Sequence, residues 1–307
     1  MKVLITGGYG FIGSHVADRF HEEGCEISVI DNLITGSRDY IPFPHKSYPL
    51  SVEDPECEEI FLSERFDAVI HLAAQVSVSE SVHNPRLDTE SNVLGLVHML
   101  HLSQKYKAGK FIFASSAAVY GTNPALPLTE SESCDPISPY GISKWTGEIY
   151  CRKWTELYGL DTACLRFSNV YGPKQGNAGE GGVVSVFMNR MMEGKPLHIH
   201  GDGEQTRDFI YAGDVADAVF RAAGSGLRGI YNLSANAECS VNSLITVLKE
   251  LHGTVDVRHA EARPGDIRHS LLSNDKISRE LNWSPRYGME EGLKRTYAWF
   301  RNRRRSN

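Results

Sequence analysis

The first thirteen residues constrain this chain more than any other stretch. Lys2–Thr6 is an apolar, β-branched run that reads as a buried strand, and it leads directly into Gly7-Gly8-Tyr9-Gly10-Phe11-Ile12-Gly13. From Phe11 to Phe20 the apolar residues recur with a helical period. A strand that enters a helix through three spaced glycines suits a pyrophosphate. Gly7 permits the sharp turn, Gly10 lets the backbone approach the ligand, and Gly13 lets the helix pack closely on the strand. The phosphates would rest on the N–H groups at the helix N-terminus. The spacing is G-x-x-G-x-x-G rather than G-x-G-x-x-G, so the surroundings must carry the reading. A second strand, Glu26–Ile30, ends in Asp31. A carboxylate there can accept from a ribose diol and would repel a 2′-phosphate. Dinucleotide binding is expected, with NAD favoured over NADP.

The rest of the chain keeps the same rhythm as far as Pro173. Apolar runs at 67–74, 110–114 and 161–167 alternate with helical patterns at 56–65, at 92–106 and from Tyr140 onward, and a short strand is expected to end near Leu50-Ser51-Val52. Such alternation predicts an α/β fold with a doubly wound parallel sheet, Rossmann-like, over 1–173. Small residues at the end of the 67–74 run suit close contact with a cofactor. The helix at 92–106 is apolar on nearly every face, so either the fold or a second subunit must cover it. Beyond Pro173 comes a polar, glycine-rich stretch to Gly182, then helical patterns at 183–192, 214–223, 241–251 and toward the C-terminus. Residues 174–307 read as a smaller α/β domain for the substrate, with the segment around 207–235 returning to the first domain.

Composition excludes several classes. A net charge of -6 argues against general nucleic-acid binding. The basic run Arg301–Arg305 follows a helical pattern and would complement the helix dipole. Six scattered cysteines without a C-x-x-C pair suggest neither a disulfide framework nor a zinc site, and no metal is expected. The chain opens on a core strand rather than a signal peptide, and no apolar run is long enough for a bilayer, so no membrane partner and a cytoplasmic location are expected.

The chemistry centres on Tyr140 and Lys144. Four residues apart on one helix, they share a face, about 5–6 Å between Cβ atoms. A neighbouring ammonium, with a positive nicotinamide ring, would favour the phenolate and make a general base. Ser116 follows a strand on the cofactor side and could share a hydrogen bond with a substrate hydroxyl.

With these residues in place the chain resembles the extended short-chain dehydrogenase/reductase family, and within it the nucleotide-sugar epimerases similar to UDP-glucose 4-epimerase. The resemblance spans essentially the whole length. It rests on Thr6-Gly7-Gly8-x-Gly10-x-x-Gly13, Asp31-Asn32, His71-Leu-Ala-Ala74, Ser115-Ser116-x-x-Val119-Tyr120-Gly121 and Tyr140-x-x-x-Lys144. Later come Leu165-Arg166-Phe167-x-Asn169-Val170-Tyr171-Gly172-Pro173, Thr206-Arg207-Asp208-Phe209-Ile210-Tyr211 and Arg263-Pro264-Gly265-Asp266. It implies Ser116, Tyr140 and Lys144 as the catalytic set. It also implies NAD contacts from Gly7, Gly10, Phe11, Ile12, Gly13, Asp31, Asn32, Ser51, Val52, Leu72, Ala73, Ala74, Asn92, Tyr140, Lys144 and Phe167. For the UDP-sugar it implies Ser116, Tyr140, Asn169, Val183, Val184, His198, His200, Arg207, Arg263, Asp266 and Ser270. Arg207 and Arg263 would bind the diphosphate, because a planar donor fork matches phosphate oxygens, and Asp266 would hold the nucleoside ribose. Ser270 falls where the family places a gate beside the sugar C2 group, and a small residue there leaves room for an acetamido group.

The implied reaction is NAD-dependent 4-epimerisation of a UDP-hexose, by a homodimer paired through the helices at 92–106 and 140–158. Departures narrow it. Dehydratases and decarboxylating relatives carry an acid where this chain has Ala118. Uronic-acid epimerases tend to have threonine at the position of Asn169 and an arginine where this chain reads Gly176-Asn177-Ala178. Leu50-Ser51-Val52 replaces the acid that often sits near the adenine. The alternatives are another nucleotide-sugar-modifying enzyme of the family, a UDP-glucuronate 4-epimerase, reductase or dehydratase, or an NAD-sensing protein without chemistry.

Overall fold

The computed structural model describes residues 1–176, 182–262 and 267–306. The chain begins with β1 (Lys2–Thr6), α1 (Phe11–Glu22), β2 (Glu26–Ile30), β3 (Lys46–Tyr48), α2 (Cys57–Ser63) and β4 (Ala68–His71). Two short helices, α3 (Val78–His83) and α4 (Pro85–Thr89), lead through a single π turn, Glu90–Leu94, into α5 (Gly95–Lys105). Then follow β5 (Lys110–Ser116), α6 (Pro139–Tyr158), β6 (Thr162–Phe167), β7 (Asn169–Tyr171), α7 (Val183–Met192), β8 (Leu197–His200) and β9 (Thr206–Tyr211). The remaining elements are α8 (Ala212–Ala223), β10 (Gly229–Leu233), β11 (Glu238–Ser240), α9 (Val241–His252), β12 (Val257–Ala260), α10 (Asp275–Leu281) and α11 (Met289–Ser306).

Seven strands form one parallel sheet in the order β3-β2-β1-β4-β5-β6-β10. Successive side chains of a strand point to opposite faces, and a parallel sheet is covered on both, which explains the unbroken apolar runs. Val3 and Ile5 join a core with Val16 and Phe20 of α1 and Val215 and Val219 of α8. Leu4 points the other way, into a core with Val69, Leu96, Met99, Phe111 and Phe113. The strand order reverses between β1 and β4, and in such sheets ligands bind outside the carboxyl ends of the strands at that switch point.

The second core lies among α7, α9 and α11, with Met188, Leu244 and Leu293 at its centre. It carries a three-stranded sheet, β11-β9-β7, and the parallel pair β12-β8. The segment around 207–235 divides between the two halves. β9 lies in the small sheet, whereas α8 packs on α1 and β10 pairs with β6.

One detail differs from the sequence expectation, the end of the third strand. β3 stops at Tyr48 instead of running to Leu50-Val52, because Pro49 intervenes and Ser51 N donates to Asp54 Oδ2 at 2.7 Å in a turn. The apolar surface of the 92–106 helix is covered within the fold: Leu96, Met99, Leu100 and Leu102 are buried against the sheet and its neighbouring helices. Exposed apolar side chains remain at Leu94 and, on α6, at Ile142, Trp145 and Ile149. Among the described residues no helix is long and apolar enough to cross a membrane.

Candidate active site

The glycine turn has the geometry its sequence demands. Gly7 adopts φ 68°, and a Cβ there would meet Ala73 N at 2.8 Å. At Gly13 a Cβ would lie 2.1 Å from Gly7 O, so only glycine lets α1 start this close to β1. The first amides of a helix have no intrahelical acceptor, and α1 has no acid in its first turn to occupy them. This cradle fits a dinucleotide pyrophosphate. At the end of β2, Asp31 accepts from Tyr9 N at 2.9 Å and Leu33 N at 2.8 Å. Burial raises its pKa above the usual carboxylate value, and those two amides oppose the rise. Asn32 Nδ2 donates to Ser51 Oγ at 3.0 Å and so joins the β2 loop to the neighbouring turn. Across the crevice, Ala73 N donates to Thr6 Oγ1 at 3.3 Å, and the same hydroxyl lies 2.9 Å from His71 Nδ1.

β5 delivers Ser116 to the same end of the sheet, where its Oγ accepts from Ala118 N at 3.2 Å. α6 opens with Ser138, whose Oγ accepts from Gly141 N at 3.1 Å, and with Pro139 in the first turn. That start fixes Tyr140 and Lys144 one turn apart. Lys144 Nζ donates to Ala114 O at 2.9 Å and stands 5.8 Å from the centre of the Tyr140 ring. Burial raises the Tyr140 pKa, while a hydrogen bond with the Ser116 hydroxyl pulls it down and the charge of Asp88 adds to the rise. Burial brings the Lys144 ammonium down to about 8, against the attraction of Asp88. His71 is driven to about 3 by burial and then by Lys144, so it is neutral beside the pair.

A cleft of about 700 Å³ runs from the glycine turn past this pair to the start of α7. Gly7, Gly10, Phe11, Ile12, Gly13, Asp31, Asn32, Ser51, Val52, Leu72, Ala73, Ala74 and Phe167 line it. So do Ser116, Tyr140, Lys144, Asn169, Val183 and Val184. Asn92 does not. It is buried behind the wall, where its Oδ1 accepts from Gln75 N at 2.8 Å and its Nδ2 donates to Gln75 O at 2.9 Å. It therefore supports the lining backbone rather than touching the space. Four further predicted residues also lie off the lining. His198 is exposed on β8, and His200 Nδ1 lies 3.2 Å from Glu261 O. Arg207 Nη1 donates to Thr206 O at 2.8 Å. Ser270 is half-buried, next to His269, whose Nδ1 is 3.0 Å from Thr206 Oγ1. Strand pairing and these contacts gather His200, Arg207 and Ser270 around the β8–β9 turn. Arg263 and Asp266 lie outside the described residues.

Sequence reading missed Gln75, Gln175 and Asp88. Gln75 and Gln175 line the cleft, and Gln175 Oε1 is buried without a hydrogen-bond partner. A lone glutamine carries no local signal; only its place in the fold gives it meaning. Among the described residues no group of three His, Cys, Asp or Glu side chains could hold a metal.

Comparison with known proteins agrees with this geometry. The putative UDP-glucose 4-epimerase of Methanocaldococcus jannaschii is 39% identical over 306 residues, covering 99% of this chain and 100% of that one. The structure of a UDP-glucose 4-epimerase from Thermotoga maritima with UDP-glucose superposes with a TM-score of 0.94, at 42% identity and with 99% of each chain covered. A UDP-glucose 4-epimerase from Thermus thermophilus in complex with NAD matches at 0.92 and 38% identity, covering 98% of this chain and 99% of that one. The family model for NAD dependent epimerases and dehydratases matches residues 3–234, a span that takes in the glycine turn, Asp31, Ser116, Tyr140 and Lys144. The chain is thus a member of the NAD dependent epimerase/dehydratase family, within the extended short-chain dehydrogenase/reductases.

Proposed function

We propose that this protein is an NAD-dependent 4-epimerase of a UDP-hexose, interconverting UDP-glucose and UDP-galactose and accepting the N-acetylated pair as well, through a transient 4-keto sugar. One observation carries this reading: Ser116, Tyr140 and Lys144 line the same cleft as the glycine turn and Asp31. Tyr140, as phenolate, takes the proton of the sugar 4-hydroxyl at its phenolic oxygen and later returns it. Ser116 shares the hydrogen bond and lowers the cost of the phenolate. Lys144 keeps a positive charge beside the ring. NAD, when bound, supplies the hydride acceptor and a positive ring charge, and it leaves the cycle as it entered.

The glycine turn, Asp31, Asn32, Ser51, Val52, Leu72, Ala73, Ala74 and Phe167 hold the cofactor, with Asn92 acting from behind. Asn169, Val183 and Val184 stand on the sugar side, and His198, His200, Arg207, Arg263, Asp266 and Ser270 serve the nucleotide-sugar. Residues 1–173, with α8 and β10, form the NAD half, and the remainder forms the nucleotide-sugar half. Ala117 and Ala118 cannot carry a proton, which disfavours elimination of water. The exposed Ile142, Trp145 and Ile149 of α6, with Leu94, suit a homodimer face, and a dimer mass by light scattering at micromolar concentration is the expected result.

The deciding experiment is incubation with UDP-glucose, UDP-N-acetylglucosamine and UDP-glucuronate, followed by separation of the 4-epimers. Galactose- and galactosamine-type products without net NADH support the reading. Stoichiometric NADH or a dehydrated sugar overturns it.

A further inference from the structure

Behind the Tyr140–Lys144 face lies a carboxylate that the steps above do not use. Asp88, in α4, is only 1% exposed. Its Oδ1 accepts from Gln75 Nε2 at 3.1 Å and from Asn92 Nδ2 at 3.0 Å. Asn92 projects from the π turn, a helix irregularity that often marks a functional place. Its Nδ2 also reaches Ser143 Oγ at 3.2 Å, so the amide that fixes Asp88 is tied to the residue immediately before Lys144. A buried carboxylate held only by neutral donors is costly unless an opposite charge stands nearby.

The other charges around the pair are already answered. Glu148, one turn further along α6, is held by Arg166 at 2.7 Å and 2.8 Å and by Ser115 at 2.6 Å. Arg86 and Glu90, beside Asp88 in sequence, pair with each other at 2.7 Å on the exposed side. Glu80 is exposed on α3, and His71 is neutral. The Lys144 ammonium is the charge that acts on Asp88.

We propose that Asp88 is a positioning residue for the reaction: fixed by Gln75 and Asn92, and linked through Asn92 to Ser143, its carboxylate keeps the Lys144 ammonium charged in a site where burial alone would neutralise it. This rests on the roles given to Tyr140 and Lys144 in the proposed function. A buried negative charge favours an ammonium and disfavours a phenolate, so it raises the pKa of both groups. One carboxylate thus adds to the rise that burial causes at Tyr140 and opposes the fall that burial causes at Lys144, and removing it must lower both values together.

The test is Asp88→Asn, which removes the charge and keeps the shape. NAD-loaded wild type and variant are compared by kcat/KM against pH for UDP-glucose. The Tyr140 phenolate is titrated in the same proteins by tyrosinate difference absorbance, with Tyr140→Phe as the blank. Expected is a shift of both limbs of the pH profile to lower pH, on the order of one unit, with the tyrosinate midpoint moving the same way. Asp88→Glu, which keeps the charge, should restore the wild-type limbs. Limbs and midpoint that stay in place while melting temperature falls would reduce Asp88 to a structural role and overturn the proposal, as would limbs moving in opposite directions. If Asp88→Asn does not fold, Asp88→Ser carries the same comparison. If the wild type turns over no UDP-sugar, the functional reading fails on its own, and the tyrosinate midpoints still decide the role of Asp88.

Discussion

Replacing Gly13 by alanine should damage cofactor binding in a way that can be worked out in advance. The added Cβ would stand 2.1 Å from Gly7 O, 2.8 Å from Gly8 Cα and 2.9 Å from Gly7 C. All three neighbours are backbone, so none can swing aside as a side chain would. Relief requires α1 to move off β1 by roughly 1 Å, and overpacking of this kind costs about 1–3 kcal/mol. The displaced element is the one whose first amides would face the pyrophosphate, so the loss should appear twice. Melting temperature should fall by roughly 2–4 °C per kcal/mol. NAD affinity should weaken about tenfold for each 1.4 kcal/mol lost at the phosphates. Gly24→Ala is the control. Gly24 has φ 69° but nothing within 4 Å of a Cβ, so its cost is confined to backbone strain of about 1 kcal/mol. The assay is differential scanning fluorimetry with and without NAD, together with titration calorimetry. If Gly13→Ala binds NAD as the wild type does, or if Gly24→Ala weakens NAD equally, then α1 is not the phosphate cradle.

Three further outcomes are expected. Tyr140→Phe should retain NAD and lose on the order of 10²–10⁴-fold in turnover, and near-normal rates by coupled assay would remove Tyr140 as the base. Acid should destabilise the fold through two histidines, the buried His71, held at about 3 by burial and then Lys144, and the half-buried His15, held at about 4 chiefly by loss of hydration. Their folded values lie below the ordinary value of about 6.5, so their contribution is complete above that pH. It is lost as pH falls toward ~4, at about 1.4 kcal/mol per unit for each histidine. Urea denaturation at successive pH values should therefore show a flatter slope in His71→Asn than in the wild type. Ser270→Tyr should suppress epimerisation of UDP-N-acetylglucosamine by roughly 5- to 200-fold, from ~1–3 kcal/mol of overpacking. It should largely spare UDP-glucose, and equal loss of both activities would refute the gate.

The strongest local signals carried the most. Thr6, Gly7, Gly10 and Gly13 sit close together in sequence, and their chemistry depends on contacts between near neighbours, so the glycines, read with the strand before them and Asp31 after β2, reveal the cradle. Tyr140 and Lys144 are legible for the same reason, since helical geometry fixes their shared face. Asp88 was not legible. In Pro85-Arg-Leu-Asp-Thr-Glu it looks like a surface helix residue, and only the packing of α4 on α6 buries it. Asn92 was assigned to the right region and the wrong side of the wall, because a π turn shifts the face a residue presents and leaves no mark on apolar periodicity. The small sheet was harder still. β7, β9 and β11 are short and distant in sequence, and their pairing rests on contacts that no local pattern encodes.

The place of β10 has a consequence for how the chain can be made. It takes the edge beside β6 only after the polypeptide has passed through α7, β8, β9 and α8. While a ribosome is still emitting those elements, the edge of β6 is unpaired and α1 lacks the α8 surface that covers it. A fragment cut after residue 173 would keep every residue of the glycine turn and the Tyr140–Lys144 pair, yet it would present an open strand edge of the kind that recruits other chains. The half of the molecule that looks self-sufficient in sequence therefore matures late in synthesis, and a nascent chain stalled within α7 is where chaperone dependence should be greatest.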